Sequence, residues 1–378
     1  MPQVLDVGDG SQDALLVRVR AGRYEGWGEC EASPLTTMAS FVAPMSHSAC
    51  KPVGELVIGE RLDSAEDIPR IHHKVRTGSF DLLQSYHTLS GIDIALWDLI
   101  GKRFQSPAYQ LLGFEVSYAK TPYASVLFGD TPSETEARAR LVAQQRFAGI
   151  KLGWGAFGKG SLKEDEEHLE AARAGLGWER ALMVDAGTVW EELEAARERL
   201  PALEGAKVTW LEEPFPGSEL GLYHDLGGRV PLAGGEGCNS AAQARQMIDY
   251  ARLAFVQIDA GRVGGITDAH RVAMYADTRN VKFVNHTFTS NLALAASIHP
   301  YAGLKEHEWC EYPVEPKPLA KEITVESVEP VSGRIHLPEK PGLGVTVDVG
   351  AIEKYLVETE FKLDGKLVFQ SSADLLKS

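Results

Sequence analysis

From about residue 120 onward the chain carries short apolar runs that each end in a polar residue. They begin with Ala148-Gly149-Ile150-Lys151, Ala181-Leu182-Met183-Val184-Asp185 and Val208-Thr209-Trp210-Leu211-Glu212-Glu213. Pro231-Leu232-Ala233-Gly234-Gly235-Glu236, Ala254-Phe255-Val256-Gln257-Ile258-Asp259 and Val281-Lys282-Phe283-Val284-Asn285-His286 follow. From Asp185 on, the closing residues are 27, 24, 23 and 27 positions apart. A strand, a helix and two loops consume about that many residues, since a βαβ crossover alone needs about a dozen. The cadence predicts parallel strands with helical returns, and the unbroken apolar character predicts burial on both sheet faces.

An open sheet gathers ligand groups chiefly at one switch point, whereas a barrel brings every strand end to one rim. An ionisable group closes every run from Asp185 onward. The expected fold is therefore α/β, a TIM-like barrel of about seven or eight units, (β/α)7-8.

The chain before residue 120 has a different texture. Residues 14–30 alternate as a hairpin, with Leu15, Val17 and Val19 on one face and a turn at Ala21-Gly22-Arg23. Residues 33–50, rich in Ser, Thr, Ala and Met, show no period and read as a mobile loop. Gly91 to Lys102 reads as a helix whose stripe Ile92, Leu96 and Leu99 belongs to a core.

Composition narrows the function. Thirty-eight basic against 53 acidic residues give a net charge of −15, with no sustained basic face for nucleic acid. No apolar run approaches the roughly 20 residues that cross a bilayer, so no membrane partner is expected. Met1-Pro2-Gln3-Val4 lacks the basic start and apolar run of a signal peptide. Cys30, Cys50, Cys238 and Cys310 are scattered without a CxxC, as reduced thiols of a cytoplasmic enzyme would be.

Asp185, Glu212 and Glu236 end three consecutive runs. One acid at a strand end commonly caps the next helix. Three at one rim would repel unless a cation sat among them, and an all-oxygen set favours magnesium over zinc. Asp259 and His286 close the next two runs. A carboxylate on one imidazole nitrogen fixes the tautomer and raises the basicity of the other, so the pair reads as a general base that can return its proton. Lys151, ending an earlier run, suits a substrate carboxylate or a second base; Glu213 points away from Glu212 as a supporting group. Gly153-Trp154-Gly155-Ala156-Phe157-Gly158 satisfies G-x-G-x-x-G, but in a chain of 37 glycines, with no strand-end acid about 20 residues on, it predicts no dinucleotide site.

The runs Met183-Val184-Asp185, Trp210-Leu211-Glu212-Glu213-Pro214, Gly234-Gly235-Glu236, Gln257-Ile258-Asp259 and Asn285-His286 together resemble the enolase superfamily, mandelate racemase subgroup. Gly26-Trp27-Gly28-Glu29 and Gly91 to Asp98 look like that family's N-terminal capping domain, and Pro341 to Val345 like its C-terminal return. The resemblance implies an α+β capping domain over residues 1–118, with 340–378 returning to it, and a catalytic barrel over 119–339. It implies Mg2+ on Asp185, Glu212 and Glu236, His286 as the base oriented by Asp259, and Glu311 as an acid hydrogen-bonded to the substrate carboxylate. Residues 33–50 would be the specificity loop, and a homo-oligomer is expected. The metal would stabilise an enediolate as the α-proton leaves.

Members with two bases carry Lys-x-Lys on the strand of Lys151. Counted from Phe147, Lys151 takes the first position and Gly153 the second; counted from Lys-Leu-Gly, Lys151 is second and Gly149 first. The first register needs no gap and is preferred. Racemisation needs bases on both faces, whereas elimination can use one. The expectation is therefore a dehydratase (hydro-lyase) of a sugar acid or small 2,3-dihydroxy acid, a small-molecule carboxylate, giving a 2-keto-3-deoxy acid. The alternatives are a racemase or epimerase of a 2-hydroxy acid using Lys151 with His286, and a non-catalytic metal-binding scaffold.

Overall fold

The computed structural model describes residues 13–31, 34–47 and 49–377, so the first residues and part of the 33–50 segment lie outside it. Strands β1 (Leu15–Ala21) and β2 (Tyr24–Cys30) pair antiparallel around a tight turn at Gly22, whose φ is 59°. The hairpin lies on the 20-residue helix Ser85–Phe104. A Cβ on Gly26 or Gly28 would stand 2.0 Å from the Ala95 carbonyl or 2.1 Å from that of Gly91, so only glycine lets strand and helix approach this closely.

Eight strands form the second sheet. They are β3 (Thr121–Leu127), β4 (Gly149–Gly153), β5 (Ala181–Asp185), β6 (Trp210–Glu212), β7 (Leu232–Gly234), β8 (Phe255–Asp259), β9 (Lys282–His286) and β10 (Trp309–Pro313). Their order is β10-β3-β4-β5-β6-β7-β8-β9, every pair parallel, with helices on the outside. This is the expected barrel of parallel strands, capped by an α+β unit. The edges β9 and β10 meet through a side chain, Asn285. The last hairpin, β11 (Thr359–Leu363) and β12 (Lys366–Ser371), is largely exposed, and Arg18 of β1 donates to the Leu376 carbonyl just beyond it.

Register decides which residues face inward. Lys151 pairs with Met183, Gly153 with Asp185, Asp185 with Glu212, and Asp259 with His286, so these side chains share the interior face. Below them, Tyr123, Met183, Trp210, Ala233 and Val284 fill the barrel floor. Leu152, Val184, Leu211 and Ile258 point outward into the main core beneath the helices. The strands are apolar on both faces because one face fills the barrel and the other packs on helices.

The cap is fastened by buried polar contacts. Asp93 accepts from the Thr267 amide (2.9 Å) and hydroxyl (2.6 Å), while the Trp97 indole donates to that hydroxyl at 2.9 Å. Asp98 accepts from the amides of Trp27 (2.9 Å) and Leu343 (3.0 Å), tying β2 and a C-terminal segment to one helix. The segment read as a mobile loop contains a helix, Pro34–Val42. Proline at its start fits the first helical turn, and Thr37 is gripped twice: Gln84 donates to its hydroxyl (3.1 Å) and Thr88 to its carbonyl (3.1 Å). A helix made by such tertiary bonds leaves no periodic signal in its own sequence.

Candidate active site

Asp185 and Glu212 end their strands, and Glu236 stands two residues past β7 after Gly235, whose φ of 118° turns the chain inward. One carboxylate oxygen from each of the three lies within 4.8 Å of the others. Lys151 reaches up among them, its Nζ 2.7 Å from Glu212, 2.7 Å from Glu311 and 3.8 Å from Asp185, with the residue 3% exposed. The other Glu212 oxygen accepts from the Trp210 indole at 3.0 Å, and Asp185 accepts from the Gly187 amide at 2.8 Å.

The imidazole of His286 donates from Nδ1 to Asp259 at 2.7 Å, and the second Asp259 oxygen accepts from the Gly261 amide at 2.6 Å. That leaves Nε2 facing the site, 3.2 Å from Glu236 and 3.9 Å from Glu311. Glu311 spans the gap, one oxygen on Lys151 and the other accepting from the Thr287 amide at 3.0 Å. All seven side chains expected at the site therefore meet around one volume.

The electrostatics are unbalanced. Burial raises Asp185 well above the carboxylate range, reinforced by Glu212, with Lys151 only partly opposing it. Burial likewise raises Glu212 despite Lys151. Glu213 is pushed up to about 8 by burial and by the charges of Glu236 and Glu212; its carboxyl faces the Gly235 amide at 3.4 Å. Burial opposes charge on Lys151, but Glu212 and Glu311 outweigh it and hold the ammonium well above its usual range. Burial also opposes the His286 imidazolium, yet Glu236, Glu311 and the bond to Asp259 bring it up to about 10. Lys151, even together with a protonated His286, does not neutralise this many buried carboxylates. The deficit and the all-oxygen donors of Asp185, Glu212 and Glu236 fit a hard divalent cation.

Two contributors were invisible to spacing. Arg262 forks onto Glu31 of the cap, Nε to one oxygen and Nη2 to the other at 2.8 Å, while Nη1 lies 3.4 Å from Glu236. Glu29, buried, accepts a hydrogen bond from the Ser290 hydroxyl across the cap–barrel interface. Trp154, with a φ of 52° and its indole lying over Gly187, stands half-exposed on the rim. A separate trio, His47, Cys50 and Asp81, also gathers in the cap. There the Ala49 amide donates to His47 Nδ1 at 3.4 Å, so the neutral ring carries its proton on Nε2, facing Cys50 and Asp81 as a donor.

Comparison with known proteins gives the family. Residues 134–351 match the enolase C-terminal domain-like family, and residues 4–113 match the mandelate racemase / muconate lactonizing enzyme N-terminal domain. The chain belongs to the enolase superfamily and is an enzyme of its mandelate racemase-like branch. It is 30% identical over 275 residues to an arabinonate dehydratase of Saccharolobus solfataricus, covering 71% of each chain. It is 27% identical over 346 residues to a D-galactarolactone cycloisomerase of Agrobacterium fabrum, covering 87% of each. A crystal structure of a predicted mandelate racemase from Rhodobacter sphaeroides superposes with a TM-score of 0.93 at 51% identity, covering 98% of this chain and 96% of that one. Among the described residues, no helix is long and apolar enough to cross a membrane.

Proposed function

We propose that this enzyme is a magnesium-dependent hydro-lyase that removes water from a sugar acid or another small 2,3-dihydroxy acid, releasing a 2-keto-3-deoxy acid. The observation that carries the reading is asymmetry: one imidazole base faces the site, and Gly153 holds the strand position level with Asp185 where a second lysine would stand. Relatives named as dehydratases of arabinonate and of L-talarate/galactarate support the substrate class.

In this reading Asp185, Glu212 and Glu236 hold the cation. When bound, it supplies Lewis-acid stabilisation of the charge that grows on the substrate carboxylate as the α-proton leaves. Lys151 adds a fixed positive charge beside that carboxylate, and Glu311 orients it while keeping Lys151 in place. His286 Nε2 takes the α-proton, with Asp259 holding the tautomer and stabilising the imidazolium. The same nitrogen returns the proton to the departing β-hydroxyl. The enol so formed tautomerises to the keto acid. Lys151 is read as a counter-charge and not as a second base, because its Nζ is engaged by Glu212 and Glu311 at 2.7 Å each. The four unpaired cysteines, all buried, support a reducing cytoplasmic setting.

Screening a library of sugar acids for 2-keto product tests the reaction. His286→Asn should abolish turnover while cation binding persists. Exchange of the α-proton in D2O without loss of water would overturn the dehydratase in favour of a racemase.

A further inference from the structure

Arg262 carries an inference that rests on the cation reading above. The residue sits in the turn after β8, where the amides of Gly261, Arg262 and Val263 all return to Asp259. Glu31 follows β2 in the cap and crosses this turn: its amide donates to the Gly261 carbonyl at 3.2 Å. A Cβ on Gly261 would stand 2.8 Å from the Glu31 nitrogen, so the cap chain and the barrel turn touch at backbone distance.

The guanidinium has two carboxylates within reach and divides itself unequally. Glu31 takes the bidentate fork, Nε and Nη2. Glu236 receives only Nη1, at 3.4 Å to Oε1 and 3.3 Å to its carbonyl oxygen. The far oxygen of Glu236 faces His286 at 3.2 Å. Arginine cannot discharge itself by losing its proton, so a guanidinium with four-fifths of its side chain buried must pair with some carboxylate. Bidentate pairing is the stronger mode and sets the geometry. Remove Glu31 and the nearest remaining acceptor is Glu236, the residue that the cation needs.

We infer that Arg262 is a positioning residue that couples the seating of the cap to the cation affinity of the barrel: Glu31 keeps its guanidinium to one long side-chain contact with Glu236, and an unseated cap lets Arg262 turn fully onto Glu236 and compete with the cation. Glu31 directly follows β2, so the same clasp fixes that end of the cap hairpin on the barrel turn. Cation occupancy and the seating of the cap are thereby linked through one side chain.

The test is a Mn2+ titration of the purified full chain, followed by the free-ion electron paramagnetic resonance signal. Glu31→Ala should weaken Mn2+ binding by about tenfold or more, because it leaves a buried charge unpaired beside Glu236. Adding Arg262→Met to Glu31→Ala should restore affinity to near the wild-type value, although the double variant has lost more contacts. A merely structural clasp predicts the opposite order, with the double variant the weaker of the two. Arg262→Met alone should bind Mn2+ at least as tightly as wild type, which keeps the test open should Glu31→Ala fail to fold. Affinity unchanged in Glu31→Ala, or weakened in Arg262→Met, overturns the coupling alone. A wild-type chain that takes up no Mn2+ overturns the cation reading and the coupling with it.

Discussion

The side-chain amide of Asn285 bonds the Glu311 backbone twice: Oδ1 accepts from its N–H at 3.0 Å and Nδ2 donates to its carbonyl at 3.3 Å. Tyr301 donates to the same Oδ1 at 2.9 Å and Ser297 accepts from Nδ2 at 3.2 Å, so every donor and acceptor of the amide is used. The amide thus takes the place of a ladder between β9 and β10. It sets Glu311 against His286, the residue after Asn285. Asn285→Leu keeps the bulk but loses both partners, leaving the buried Glu311 N–H without its acceptor and its carbonyl with only the Cys310 thiol. Each such group costs about 1–3 kcal/mol. Urea unfolding should show the loss, and hydrogen exchange should show the Glu311 amide less protected. Wild-type stability and protection in this variant would remove Asn285 from the seam.

Lys151 is the internal counter-charge of the carboxylates in the absence of a cation. Breaking a buried ion pair by removing one partner costs about 3–5 kcal/mol. Lys151→Met should therefore melt well below wild type without divalent cation and recover much of the difference in excess Mg2+. Thermal melts with and without chelator measure this. A deficit that Mg2+ does not reduce would mean that Lys151 stabilises the fold by packing alone.

Gly153 is closed to any side chain. A Cβ there would lie 2.9 Å from an Asp185 carboxylate oxygen and 3.1 Å from the Asp185 Cβ. Gly153→Ala is expected to displace Asp185 and weaken Mg2+ binding about tenfold with the fold intact. Gly153→Lys should do the same and gain no racemase activity. Calorimetric titration and α-proton exchange in D2O read the two outcomes, and tight binding in Gly153→Ala would show that Asp185 is free to shift.

Glu29 is raised by burial to about 7, with Ser290 opposing the rise. A carboxyl raised above its unfolded value near 4.5 stays protonated in the fold while the unfolded chain ionises. Its stabilising contribution is full below about pH 4.5 and is lost as the pH climbs through about 7. The shift corresponds to at most about 3 kcal/mol. Glu29→Gln, always neutral, should match wild type near pH 5 and melt higher near pH 8. Parallel melting curves across that range would show that Glu29 ionises freely in the fold.

The strand-end residues were legible because the barrel converts a periodic spacing into a common rim. Asp185, Glu212, Glu236, Asp259 and His286 needed only parallel strands of similar length to meet. Arg262 and Glu31 were not legible: 231 positions separate them, and their meeting depends on how the cap docks, which no local pattern encodes. Asn285 was hidden for another reason. It points out of the barrel, on the face where an apolar residue is expected, and its partners come from three other segments. Thr37 was read as part of a featureless loop because its helix is held by Gln84 and Thr88, not by its own periodicity.

The helix Pro34–Val42 hangs from the cap by Thr37, whereas the groups proposed to move protons and hold a cation all sit on barrel strands and their ends. The helix and the proposed reactive groups are thus fastened to separate parts of the chain. Exchanging side chains along this short helix therefore leaves unbroken the hydrogen bonds that hold those groups in the barrel.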